Sequence, residues 1–322
     1  MELGILDQIP LPEGMQAEQM AAETKALVQT ASREGYRRYW FAEHHSTNGM
    51  LSAAPELWIA RLAAEAEQMA FGSGGILLPQ YSPLKTAETF STLSAMYPGR
   101  IELGVGNSPG GTERTRQALA DGREAEDRFH EKLEELQHFL HGTMPKHHPY
   151  RIVKTTPRQA AAPPLWLLGL SPRSAETAAA LDTGLVFGHF ISPDQAEETM
   201  ERYYARAASP RVRVCVFVVC AGTDAEAEQL ALTQDAWLQQ VRRGSSIVPS
   251  PDHAAAILDR AGKEAVQHER RRAVIGSPAS VRQQLEALAD VYGTTDFLLI
   301  TNVHDQEARR HSYAHISREI RQ

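Results

Sequence analysis

The sequence predicts an α/β protein, a (β/α)8 TIM barrel with one insertion before its last βα unit, and three observations carry that prediction. Short apolar runs alternate with longer stretches of helical period, giving eight strand-then-helix units along the 322 residues. The apolar runs lack a polar face, as expected of parallel strands covered by helices. Eight such units at this length favour a closed barrel over an open doubly wound sheet. Residues 1–322 read as one domain, with the insertion at about 243–276.

LGIL (3–6) is the first strand and ends at Asp7, and a helical stretch over about 16–34 is closed by Gly35. YWFA (39–42) follows, then a helix whose apolar face carries Ile59, Leu62, Ala63, Ala66 and Met69 at the 3.6-residue period. AFGSGGILL (70–78) is the third strand, and its three glycines point to a bulge or to backbone lying close to a ligand or a barrel corner. Ser82–Pro83 opens a helix with a capping serine and a first-turn proline. RIELGVG (100–106) is the fourth strand, and residues 121–141 read as one long charged helix. LWLLGL (165–170) leads into a helix from Ser171–Pro172. LVFGHF (185–190) precedes another, for which Ser192 and Gln195 form a capping box. VRVCVFVVCA (212–221) is the clearest buried strand, and a helix spans about 224–242. Residues 243–276 read as irregular and polar. Ser277–Pro278 then starts a helix ended by Gly293, and DFLLIT (296–301) with a basic helix closes the chain.

Composition narrows the function. A formal charge of −7 provides no general attraction to nucleic acid or anionic lipid. The longest apolar run, Val214–Ala221, is too short to span a membrane, and the N-terminus lacks the marks of a signal peptide. Cys215 and Cys220 sit five residues apart on one strand and face opposite sides, which argues against a disulfide and for a reducing, cytoplasmic setting.

The chemistry of a barrel gathers at the C-terminal ends of its strands. WFAEHHSTNG (40–49) puts Glu43, His44 and His45 at such an end. Imidazole titrates near neutral pH, so the group suits a general base or a hydrogen-bond donor over a ligand. The alternative is a capped strand end with solvated histidines. No metal is expected, because adjacent His44 and His45 diverge on an extended backbone and His189 brings no further ligand set. GVGNSPGG (104–111) is not a dinucleotide fingerprint, but its glycines let backbone approach a flat ligand or simply turn a loop. In GLSPRSAET (169–177), Ser171 and Ser174 flank a helix N-terminus that attracts anions, and Arg173 adds charge. Capping alone accounts for one of the two serines.

These pieces, in this order, resemble the bacterial luciferase-like flavin monooxygenases, and most closely their single-chain members. ILDQIP, GYRRYWFAEHH, GSGGILLPQYSPLKTAETFSTLSAMYPGRIELGVG, LWLLGLSPRSAETAA and GSPASVRQQLEAL carry the resemblance across nearly the whole chain. It implies a (β/α)8 barrel that binds FMN, usually in the reduced form delivered by a separate flavin reductase. Oxygen adds to the reduced flavin and the resulting peroxide oxidises a small organic substrate. His44 matches the family's catalytic histidine, with Glu43 and His45 as its neighbours. Gly74–Gly75 falls where the family has a non-prolyl cis peptide under the flavin ring, and Ser171 and Ser174 match phosphate-holding positions. Many relatives carry an arginine where this chain has Asn107. Losing that charge-assisted contact costs roughly 1.5–3 kcal/mol, a tenfold to hundredfold loss of affinity that Arg173 offsets in part. A homodimer is also implied. The competing readings are a deazaflavin- or NAD(P)H-linked oxidoreductase on the same barrel, a non-catalytic flavin-binding homologue and a metal hydrolase.

Overall fold

The computed structural model describes residues 1–108, 110–121 and 128–322. The first half of the barrel comprises β1 (Glu2–Asp7), α1 (Ala17–Arg33), β2 (Arg38–Phe41), α2 (Pro55–Leu62), β3 (Ala70–Ser73), β4 (Ile76–Leu77), α3 (Pro83–Met96) and β5 (Ile101–Gly106). After α4 (Glu113–Leu119) and α5 (Phe129–His141) come β6 (Leu165–Gly169), α6 (Pro172–Ala180), β7 (Gly184–Gly188), α7 (Ala196–Tyr204), β8 (Val212–Cys220) and α8 (Asp224–Val241). The chain ends with α9 (Pro251–Ala261), α10 (Lys263–Arg270), β9 (Ala273–Gly276), α11 (Pro278–Tyr292), β10 (Asp296–Ile300) and α12 (Gln306–Ile320).

The strands pair in parallel in the order β1–β2–β3–β5–β6–β7–β8–β10, and β10 returns to β1, which closes an eight-stranded (β/α)8 barrel. The third strand is interrupted. β3 pairs with β2 and β5, and the strand resumes as β4 beyond a cis Gly74–Gly75 peptide, with Ile76 opposite Val105. The three glycines of that run thus mark a break in the strand.

Four local expectations need correction. The insertion is ordered: α9 and α10 are followed by β9, which pairs with the far half of β8 from Phe217 to Cys220. α10 buries only Glu269 and so shows no apolar stripe, which is why its pattern reads as loop. Ser192 does not cap through its side chain, and α7 starts after it at Ala196. The charged helix begins at Phe129 rather than 121, although residues 122–127, like Pro109 of the glycine-rich loop, lie outside the described residues. α4 was not foreseen, because it buries none of its side chains.

Alternation along the strands separates two cores. Ile5, Tyr39, Phe41, Phe71, Leu103, Val105, Leu185, Phe187, Val214 and Val216 face outward beneath the helices. Leu6, Trp40, Trp166, Val186, Cys215, Phe217, Leu298 and Ile300 fill the barrel. At its N-terminal end the interior is ionic. Arg213 donates to both oxygens of Glu102 at 2.8 and 2.9 Å and to Asp296 at 3.1 Å. Arg38 bridges Asp296 and Glu2, and the Trp40 indole donates to Glu102 at 2.7 Å. The Arg213 guanidinium lies 3.6 Å from the centroid of the Trp166 ring. Gly4 makes room for this layer, since a Cβ there would stand 2.4 Å from Arg38 Cγ.

Removing one member of such a layer leaves buried charge uncompensated. Arg213→Met is expected to lose about 3–5 kcal/mol in urea unfolding. Arg206→Met, which breaks only an exposed pair with Glu176, is expected to change stability by less than about 1 kcal/mol.

Candidate active site

Above the ionic and aromatic layers, several inward positions at the strand ends are small or polar, among them Gln8, Ala42, Gly106 and Gly188, and a cavity of about 760 Å³ opens there. Its size is that of a cofactor or substrate site, and it lies at the end where barrel enzymes place their chemistry. Glu43, His44, His45, Gly74, Gly75, Asn107, Ser171, Arg173 and Ser174 all line it. The structure thus brings every sequence-predicted site residue to one cavity.

Glu43 follows β2 and is buried, with both carboxylate oxygens engaged. Oε1 accepts from the Tyr81 hydroxyl at 2.5 Å and from His45 Nε2 at 2.6 Å, and Oε2 accepts from the Leu77 amide at 2.9 Å. Glu43 therefore ties the end of β2 to β4 and orients His45. His44 turns the other way, as adjacent residues on extended backbone must. Its Nε2 lies 3.3 Å from Gln8 Nε2, and the Gln8 carbonyl oxygen accepts from Asn302 Nδ2 at 2.6 Å. Burial, followed by the neighbouring His45, pushes the His44 imidazole down to about 4, so it is neutral at pH 7.

The loop carrying these histidines is fixed from the far side by the insertion. Asn48 Oδ1 accepts from the Ser246 amide at 2.8 Å, and Ser246 Oγ accepts from the Gly49 amide at 2.9 Å. The Leu11 and Val248 backbones bond as well. A side chain at Gly49 would meet the backbone of Ser246 and Ile247 at 2.3 Å, so only glycine lets the two segments touch.

On the opposite wall, α6 opens with a reciprocal capping box. Ser171 Oγ accepts from the Ser174 amide at 3.4 Å, while Ser174 Oγ accepts from the Ser171 amide at 3.1 Å. The box accounts for both serines, which corrects the expectation that capping needs only one. The Ser174 hydroxyl also donates to the Ser171 carbonyl at 2.6 Å, so the Ser171 hydroxyl is the freer donor. Arg173 is exposed at the cavity and forms no side-chain ion pair among the described residues. Asn107 follows β5 on the same rim. His189 is elsewhere: buried, it pairs with the Tyr292 hydroxyl at 2.8 Å and the Arg271 carbonyl at 3.2 Å, and it anchors the insertion. No group of three or more metal-ligating side chains occurs among the described residues.

The family model for luciferase-like monooxygenases matches residues 1–295. This chain belongs to that family. A Bacillus subtilis protein called YceB, itself uncharacterised, is 45% identical over 98% of each chain. The N-acetyl-S-alkylcysteine monooxygenase of the same organism is 32% identical over 98% of this chain and 97% of its own. The structure of apo-MsnO8 is 36% identical and superposes with a TM-score of 0.91 over 99% of this chain and 98% of that one. Two more distant structures share the fold alone. One is the oxygenating constituent of a Pseudomonas putida 3,6-diketocamphane monooxygenase in complex with FMN, 20% identical with a TM-score of 0.73 over 99% of this chain and 98% of that one. The other is an F420-dependent secondary alcohol dehydrogenase, 13% identical with a TM-score of 0.70 over 100% and 99%.

Sequence reading of this luciferase-like monooxygenase missed three residues of the site, Gln8, Tyr81 and Asn302. Gln8 was within reach, since it continues the inward alternation Gly4, Leu6, Gln8. Asn302 likewise continues the inward alternation Leu298, Ile300, Asn302, whereas Tyr81 lies in a loop, where no period applies.

His44 also makes stability depend on pH. Its folded value lies below the 6.5 of the free group, so the unfolded chain takes up the proton first as pH falls. Stability is therefore lost between pH 6.5 and about 4, by at most about 3 kcal/mol from this one group. Urea unfolding at pH 7 and pH 4.5 is expected to show a smaller acid loss in His44→Gln than in the native protein.

Proposed function

We propose that this chain is a monooxygenase that takes reduced FMN and dioxygen and oxidises a small organic substrate at the strand-end cavity. The observation that carries this reading is the pairing, across one cavity, of a neutral, half-buried histidine with a capped helix N-terminus and an arginine that has no ion pair among the described residues. The second feature suits a phosphate: the helix end attracts anions, and Ser171 and Arg173 have donors to offer. Gly106 supports a flat ligand, because a Cβ there would point into open space with its nearest neighbour, Leu168 Cβ, at 3.9 Å. Gly74 and Gly75 line the cavity between β3 and β4, where a Cβ would collide with Leu6 Cδ1 at 2.3 Å and with Leu168 Cδ1 at 2.8 Å. When bound, reduced FMN supplies the two electrons that divide dioxygen between the product and water.

The chain's own residues divide the remaining work. Ser171, Arg173, Ser174 and Asn107 hold the phosphate end. His44 faces the reacting end, and Glu43 and His45 hold the strand end in place around it. Leu6, Val186 and Phe190 exclude water from that part of the cavity. A separate flavin reductase as electron source, homodimeric assembly and a cytoplasmic setting belong to the same reading. Two buried free cysteines agree with the cytoplasmic setting. Asn107 favours a second reading, in which a deazaflavin replaces FMN, because it adds no charge to the phosphate end.

Titration with oxidised and photoreduced FMN is expected to show tighter binding of the reduced form. Arg173→Ala should weaken it roughly tenfold to a hundredfold, the effect of one charge-assisted contact. Product formation should require reduced FMN, dioxygen and a substrate together, and an S-alkylcysteine thioether is the first to try, given the N-acetyl-S-alkylcysteine monooxygenase relative. His44→Ala should lower turnover with the fold intact. Absence of binding in either redox state would sink the FMN reading and turn attention to a deazaflavin.

A further inference from the structure

We infer that Gln8, oriented by Asn302, is a positioning residue that holds His44 as the neutral imidazole carrying its proton on Nδ1, so that the ring meets the cavity as a hydrogen-bond donor rather than as a base. The inference rests on the proposed function only in taking His44 as the residue at the reacting end.

The placement follows from register. β1 and β10 are neighbours with Ile5 opposite Leu299, and Gln8 and Asn302 each lie three residues further on. Gly4, Leu6 and Gln8 point inward on one strand, and Leu298, Ile300 and Asn302 continue the inward face of the other. Both side chains are therefore buried side by side, and Gln8 lines the cavity with Asn302 behind it. The Asn302 amide donates to Gln8 Oε1 at 2.6 Å, which leaves the Gln8 NH2 group facing His44 Nε2 at 3.3 Å. An NH2 group has only protons to offer, so His44 Nε2 must accept, and the neutral ring then carries its hydrogen on Nδ1. Nδ1 has no partner among the described residues, and the ring lines the cavity.

Swapping both amides end for end would reverse the tautomer. The Asn302 side chain decides between the two settings. In the observed setting its carbonyl oxygen is the atom without a partner. In the reversed setting that place would hold an NH2 group, and a buried donor without an acceptor is rarer and costlier than an under-satisfied carbonyl. The other charged and titratable groups do not compete for Nε2: the Glu43 carboxylate is engaged by Tyr81, His45 and Leu77, and His45 turns to Glu43. A neutral amide beside the ring also gives an imidazolium no counter-charge.

The test is long-range proton–nitrogen NMR of protein labelled with ¹⁵N-histidine at pH 7, with His44 assigned by its loss in His44→Asn. The expected spectrum has a protonated Nδ1 and a bare Nε2. Gln8→Met should shift His44 toward the Nε2–H form, and Gln8→Glu should force that form and raise the pH at which the ring titrates. Both should lower kcat with little change in the affinity for reduced FMN. A native His44 protonated on Nε2, or one whose signals ignore both Gln8 variants, would overturn the inference. FMN-dependent turnover with the wrong tautomer would reject the role of Gln8 alone. The right tautomer without any flavin binding would reject the proposed function and leave the role of Gln8 standing.

Discussion

Four charges from four strands meet inside the barrel, and the rest of the molecule is arranged around keeping them paired. Arg38, Glu102, Arg213 and Asp296 come from β2, β5, β8 and β10, and none of them is well solvated. An unpaired charge at that depth would cost several kcal/mol, so a strand that slipped by two residues would break the layer, and one that slipped by one would turn its charge out among the helices. The layer therefore sets the relative register of strands that are not all neighbours. It also fills the N-terminal end of the barrel, with Trp40 and Trp166 stacked against it. Only the opposite end is left open.

What opens at that end follows from the same alternation. Several inward series start with a charge or glycine, pass through a large apolar residue and end small or polar: Arg38, Trp40, Ala42 on one strand, and Gly4, Leu6, Gln8 on another. The cavity is the space those last positions leave empty. Its rim is held by contacts from distant parts of the chain. Asp7, pointing outward at the end of β1, pairs with Arg309 of α12 at 2.7 Å, and both are fully buried. The insertion reaches back across the barrel to bond the loop after His45. A rigid frame of this kind suits a site whose histidine must keep one orientation.

Much of the barrel was legible because its signals are local. Two-sided apolar strands, serine–proline helix starts and closing glycines recur in order, and each reports its own segment. The Glu43–His44–His45 cluster and the Ser171–Ser174 helix start were legible for the same reason, since a strand end and a helix end are local places. The insertion was misread because α10 has almost no buried face, so its sequence carries no period to detect. Arg38 and Arg213 passed unnoticed inside apolar runs, because a lone charge in a strand looks like an interruption until its partners are known.

Sequence alone determined the alternation of strands and helices, the likeness to luciferase-like monooxygenases and the residues worth watching. The tertiary structure decided which of them face one another. Closing the barrel put Gln8 beside Asn302, 294 residues apart, and so assigned a direction to the hydrogen bond at His44. It also showed the Glu43 carboxylate to be held by Tyr81 and Leu77, which makes it an anchor. Residue type states what a side chain can donate or accept, but its partners come from parts of the chain that only the closed barrel brings within hydrogen-bond reach.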